Sequence, residues 1–105
     1  MRTIKSLKKG ERLLLAYGEQ NGDLATCNDY VTWAKLDFTN SSFKPWEADF
    51  IERESEGIIF ANVFGFEEEM GTVYAHDVIA VKNSEGAWER IAHTKKELEL
   101  KEKVN

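Results

Sequence analysis

GTVYAHDVIAVKNSEGAWERIAH, residues 71–93, is the stretch whose reading decides the fold. Val73, Ala75, Ile79 and Val81 recur at period two, with Asp77 interrupting the apolar series. Alternation at that period, bounded by a Gly-containing loop, predicts a β-hairpin. Ser84-Glu85-Gly86 suits a three-residue connection whose last residue takes a positive φ, which Gly86 does without a Cβ clash. That loop sets Asn83 opposite Ala87, Val81 opposite Glu89, Ile79 opposite Ile91 and Asp77 opposite His93. A four-residue loop would instead face His76 with His93, and a one-residue slip exchanges the two faces of a strand. The first register aligns two isoleucines and is the one adopted.

Outward from the hairpin, Ser55-Glu56-Gly57 repeats the same loop chemistry. It predicts a strand over 50–54, preceded by a helical turn over 45–49, and a second strand over 57–64 that is apolar on both faces. Residues 12–17, an apolar run between Gly10 and Gly18, read as a buried strand. Asn21-Gly22 reads as a hairpin turn that returns through 24–27. Residues 30–39 are rich in β-branched and aromatic side chains and read as a further strand. Thr94-Lys95-Lys96-Glu97 has capping-box spacing and opens a helix whose weak apolar face is Leu98, Leu100 and Val104. The fold class is therefore mainly β (α+β), one domain over residues 1–105. Its expected form is an antiparallel meander of about six strands curled into a small barrel or roll, with a short C-terminal helix over 94–104.

Composition limits the function classes. The chain has 105 residues, 31% charged and 11% aromatic, which is ordinary for a globular domain and too aromatic for a disordered one. No apolar run reaches the length of a membrane span, and the basic N-terminus lacks the apolar core of a secretory signal, so a cytoplasmic location is expected. Cys27 is the only cysteine, which excludes an internal disulfide and a thiolate metal cage within one chain. The net charge of −5 is uneven: +4 over residues 1–12, −10 over 13–92 and +1 from there on. An acidic body repels phosphate backbones, so nucleic-acid binding is disfavoured despite the basic arm.

His76, Asp77 and His93 form the one cluster with catalytic potential. An imidazole oriented by a carboxylate is what a general base needs, and the same groups can ligate a metal. No spacing supplies a nucleophile or a third ligand, so a hydrogen bond closing the end of the sheet is the favoured reading. Glu67-Glu68-Glu69 lacks the alternating ligands of a calcium loop and reads as a solvated acidic loop. Trp33, Trp46 and Trp88, with Tyr74, are candidate binding residues that could stack on a base, a sugar or a partner side chain. There is no Gly-rich phosphate cradle, no GxSxG and no HExxH. The expectation is a protein-interaction or assembly module without a cofactor or metal, its partner another protein or a second copy forming a homo-oligomer. An enzyme or metal-dependent binder using His76, Asp77 and His93 is the alternative. Nucleic-acid binding through the basic arm stands third.

Overall fold

The hairpin forms in the expected register. In the computed structural model, which describes residues 2–16, 45–65 and 71–104 with side chains to residue 99, β6 (Val78–Lys82) pairs antiparallel with β7 (Trp88–Ala92). Val81 faces Glu89 and Lys82 faces Trp88. Gly86 takes φ 80°, its amide donates to the Asn83 carbonyl at 3.0 Å and the Asn83 amide donates to Ala87 at 2.8 Å. The Asn83 side-chain oxygen accepts from the amides of Glu85 and Ala87, both at 3.0 Å. The loop therefore satisfies its own donors, as residues that favour turns do. A Cβ added at Gly86 would meet no atom within 4 Å. Gly86→Ala is thus expected to cost only the left-handed backbone penalty, about 1 kcal/mol, read as a shift in urea midpoint at constant slope.

The rest of the chain builds on that pair. β1 (Arg2–Thr3) leads into a 3₁₀ turn (Ile4–Ser6), followed by β2 (Arg12–Leu15), β3 (Trp46–Arg53), β4 (Ile58–Val63) and β5 (Gly71–Tyr74). A second 3₁₀ turn (Ala75–Asp77) separates β5 from β6, and α1 (Lys95–Val104) closes the order. The sheet order is β1-β7-β6-β2-β3-β4-β5. All pairs are antiparallel except β1 with β7, which run parallel. Among the described residues the sheet ends at β1 and β5 without closing. It is a mixed sheet that does not close, so the expected antiparallel meander curled into a small barrel or roll is met only in part.

Two further expectations change. The alternation through residues 73–81 does not make one continuous strand, because Ala75–Asp77 turn the chain from β4 at one side of the sheet to β2 and β7 at the other. The corner loses no backbone bonds: Ala75 donates to Gly57 at 2.8 Å, and Asp77 accepts from Ala16 at 2.9 Å. Residues 46–49 extend β3 and are not a helical turn. Trp46 and Ala48 face Leu15 and Leu13 across the β2 ladder, which secures them as strand. The expected strands over 24–27 and 30–39 lie outside the described residues.

Period-two burial follows from these ladders. Leu13 and Leu15 from β2, Ala48 and Phe50 from β3, and Ile59, Ala61 and Val63 from β4 share the main core with Ile4 and Leu7. Leu14, Ala16, Ile79 and Ala80 form a second buried cluster, against which Trp88 packs. β2 is thus buried on both sides, as a central strand of an uninterrupted apolar run should be. Among the described residues no helix is long and apolar enough to cross a membrane.

Candidate functional site

His93 ends the hairpin and ties it to α1. Its Nε2 lies 2.8 Å from the Val78 carbonyl oxygen and its Nδ1 lies 3.0 Å from Glu97 Oε2. A carbonyl only accepts, so Nε2 carries the proton in this arrangement, an assignment that follows from the network. Glu97 Oε2 also accepts from the Thr94 amide at 3.1 Å, and Thr94 Oγ1 accepts from the Glu97 amide at 3.2 Å. The capping box forms as its spacing predicts. The inward face of α1 differs from expectation, however: Glu97 is 2% exposed and Leu98 49%. Turning Glu97 back to the cap and to His93 rotates Leu98 to solvent.

The cross-strand pair of Asp77 with His93 is replaced by these bonds, since both ring nitrogens of His93 are engaged elsewhere. The cause is the 3₁₀ turn, which takes Asp77 out of the strand register. Its carboxylate instead lies 3.1 Å from His76 Nδ1, with both side chains 7% exposed. The His76 ring stacks on Tyr74, the centroids 5.4 Å apart and the planes at 7°. His76, Asp77 and His93 therefore gather at one corner of the fold, where they join β5, β6 and α1. Among the described residues no group of three His, Cys, Asp or Glu side chains is arranged to hold a metal ion.

The aromatic candidates do not form one platform. Trp46 pairs at the Leu15 end of β2, whereas Trp88 pairs with Lys82 at the far end of β6. Tyr74 sits on β5 opposite Ile58, and Trp33 lies outside the described residues. The Lys82 ammonium lies 5.1 Å from the centre of the Trp88 ring, and the Arg12 guanidinium 4.0 Å from that of Phe64. Arg12 also bonds Asp49 at 2.9 Å and Glu47 at 3.3 Å.

A different site is built by the N-terminal segment against the second half of β3. Lys8-Lys9-Gly10-Glu11 makes a type II turn: Glu11 donates to the Lys8 carbonyl at 3.0 Å, and Gly10 has φ 92°. The Gly10 amide donates to the Phe50 carbonyl at 2.8 Å and the Phe50 amide to the Glu11 carbonyl at 2.9 Å. This is the bonding of a bulge that begins with a left-handed glycine. It peels the chain away from β3 just past Phe50. Between the departing segment and β3 lies an open groove of about 420 Å³, lined by Ile4, Lys5, Leu7, Lys9, Phe50, Ile51, Glu52 and Arg53.

The groove wall is held by a clamp. Arg2 meets Glu11 in a fork, Nη1 to Oε2 at 2.9 Å and Nη2 to Oε1 at 2.7 Å. The same guanidinium donates to the Ser6 carbonyl and hydroxyl at 2.8 and 3.0 Å, and Glu11 accepts from the Lys8 amide at 2.7 Å. Hydrogen bonding to Arg2 holds the Glu11 carboxyl below its ordinary value, against the opposing effect of partial burial. A depressed carboxyl stabilises the fold above its unfolded pKa, and that contribution is lost as pH falls through the folded one. Glu11→Gln is therefore expected to cost about 1 kcal/mol at neutral pH. The gap to the native chain should close in acid, checked by urea unfolding at the two pH values.

Charge at this groove opposes that of the body. None of Lys5, Lys9 and Arg53 makes an ion pair with a described residue. Glu52 is the single carboxylate among the lining residues, so three cations face one anion over an apolar floor of Ile4, Leu7 and Phe50. Sequence reading found the basic arm but not the groove. The signal was the +4 of residues 1–12 in an otherwise acidic chain. Compared with known families, with curated proteins and with solved structures, the chain matches none.

Proposed function

We propose that this chain is a small protein-interaction module without catalytic chemistry, and that it holds a segment of its partner in the groove between residues 4–9 and β3. The observation that carries this reading is the pairing of an apolar floor with cations that make no ion pair among the described residues. Charges with no internal ion pair add nothing by pairing to stability, yet they steer and orient an oppositely charged partner. A cytoplasmic setting suits a chain with one cysteine. The catalytic alternative has less support, because both nitrogens of His93 are used in bonds that fasten α1 to the sheet.

A peptide-display library tests the reading, selected on the native chain and counter-selected on a Lys5→Glu/Arg53→Glu variant. Both side chains are exposed, so the variant should keep the native circular dichroism spectrum. Peptides that bind the native chain and not the variant are expected. Failure to enrich any peptide, or enrichment of peptides that bind both alike, overturns the groove as the partner site.

A second reading, self-association, is favoured by one observation. Trp46 and Phe64 are each 38% exposed, and exposed apolar patches mark interfaces. Sedimentation across micromolar concentrations is expected to show a dimer that a Trp46→Ser/Phe64→Ser variant loses. A monomer at every concentration sets this reading aside.

A further inference from the structure

This inference rests on the groove being the partner site and names what fills it. β2 pairs with β3 over Trp46 to Asp49, and Gly10 and Glu11 add the bonds to Phe50. Past Phe50 the departing N-terminal segment leaves one side of β3 without a neighbour among the described residues. Glu52 and Arg53 keep β4 on the other side, facing Phe60 and Ile59, while Ile51 falls at the register shift in that ladder. The groove therefore runs along about 10 Å of open strand edge in the interior of the sheet order, not at its ends.

The geometry points to an extended acidic segment of a partner protein, which adds to β3 as a short strand along Ile51–Arg53 with its carboxylates on Lys5, Lys9 and Arg53. Three features of the site agree on this occupant. An open strand edge offers backbone donors and acceptors, which an extended peptide satisfies without any particular sequence. The floor of Ile4, Leu7 and Phe50 takes the side chains that point inward at every second position. The cations above the floor then meet the outward positions, and they select carboxylates. Lysines and bulges also protect free edges from aggregation, and β3 has a register shift between Phe50 and Glu52. Protection requires only charge of either sign. In a chain whose body is acidic, three cations lining one groove are a selective arrangement. Nucleic acid is the rival polyanion. It would have to lie against the −10 of residues 13–92, and it has no use for a strand edge.

The experiment uses the full chain and a synthetic probe peptide of alternating glutamate and valine. Amide hydrogen exchange by NMR is followed with and without the probe, and affinity is measured by fluorescence anisotropy. Bound probe is expected to slow exchange within Ile51–Arg53. N-methylation of alternate probe amides should weaken binding about tenfold or more, because it removes the strand donors. Lys5→Glu/Arg53→Glu, and the milder Lys5→Ala/Arg53→Ala, should weaken it in that order. Binding that leaves exchange at Ile51–Arg53 unchanged and tolerates N-methylation overturns strand addition but leaves the protein-binding role standing. No binding of the acidic probe, while displayed peptides of other chemistry occupy the groove, overturns the acidic occupant alone. An oligothymidylate that displaces the probe and binds more tightly overturns the protein partner in favour of nucleic acid.

Discussion

Glu97→Ala is expected to cost the domain about 3 kcal/mol and to release α1 from the corner it closes. Glu97 is a buried hub: one oxygen accepts from the Thr94 amide and faces His93 Nδ1. Alanine leaves the Thr94 amide without this acceptor where water has little access, and an unmet buried donor costs more than the bond was worth. It also removes half of the capping box at the start of a helix of only ten residues, a length that depends on its cap and its docking. Glu97→Gln keeps the volume and one acceptor oxygen, so it should lose roughly half as much. Urea unfolding followed by far-ultraviolet circular dichroism measures both variants. A loss within about 0.5 kcal/mol for Glu97→Ala, the size seen at plain surface positions, would mean that the corner does not hold the helix.

Leu13→Ala should be equally costly for a different reason, about 3 kcal/mol. Leu13 is fully buried on β2, facing Ala48 on one side and Val81 on the other. Small neighbours held by two ladders cannot collapse into the space, so the cavity persists and its cost adds to the lost transfer energy. β2 is also the strand that joins the β6–β7 hairpin to β3, β4 and β5. Unfolding should stay a single transition, shifted as a whole. Leu98→Ala, at an exposed site of the helix, provides the contrast and should change stability by no more than about 0.5 kcal/mol. Equal effects at Leu13 and Leu98 would contradict the order β6-β2-β3.

What was legible in the sequence was what local chemistry decides. Ser84-Glu85-Gly86 sets the hairpin register through the φ that Gly86 alone supplies, and Val81 does face Glu89. Thr94 and Glu97 are close enough in sequence for the capping box to be read directly. The break at Ala75–Asp77 was hidden because Val73, Ala75, Ile79 and Val81 keep step across it and all four are buried, Val73 on β5, Ala75 in the turn, Ile79 and Val81 on β6. Alternation records burial and not continuity. The parallel pairing of Arg2 with Ile91 joins the two ends of the chain, and no local pattern encodes such a contact. The groove was hidden for the same reason. Its walls come from residues 4–9 and 50–53, and the opening exists only because Gly10 turns the chain away from β3. The charge of the arm was legible along the chain, and its apolar floor was not.

Backbone amide shifts during titration of the full chain with a display-selected peptide test the groove most directly. Shifts are predicted at residues 4–9 and 50–53 and should fade in the Lys5→Glu/Arg53→Glu variant. Shifts gathered instead around His76, Asp77 and His93, or around Trp46 and Phe64, with the groove amides unmoved, would contradict it.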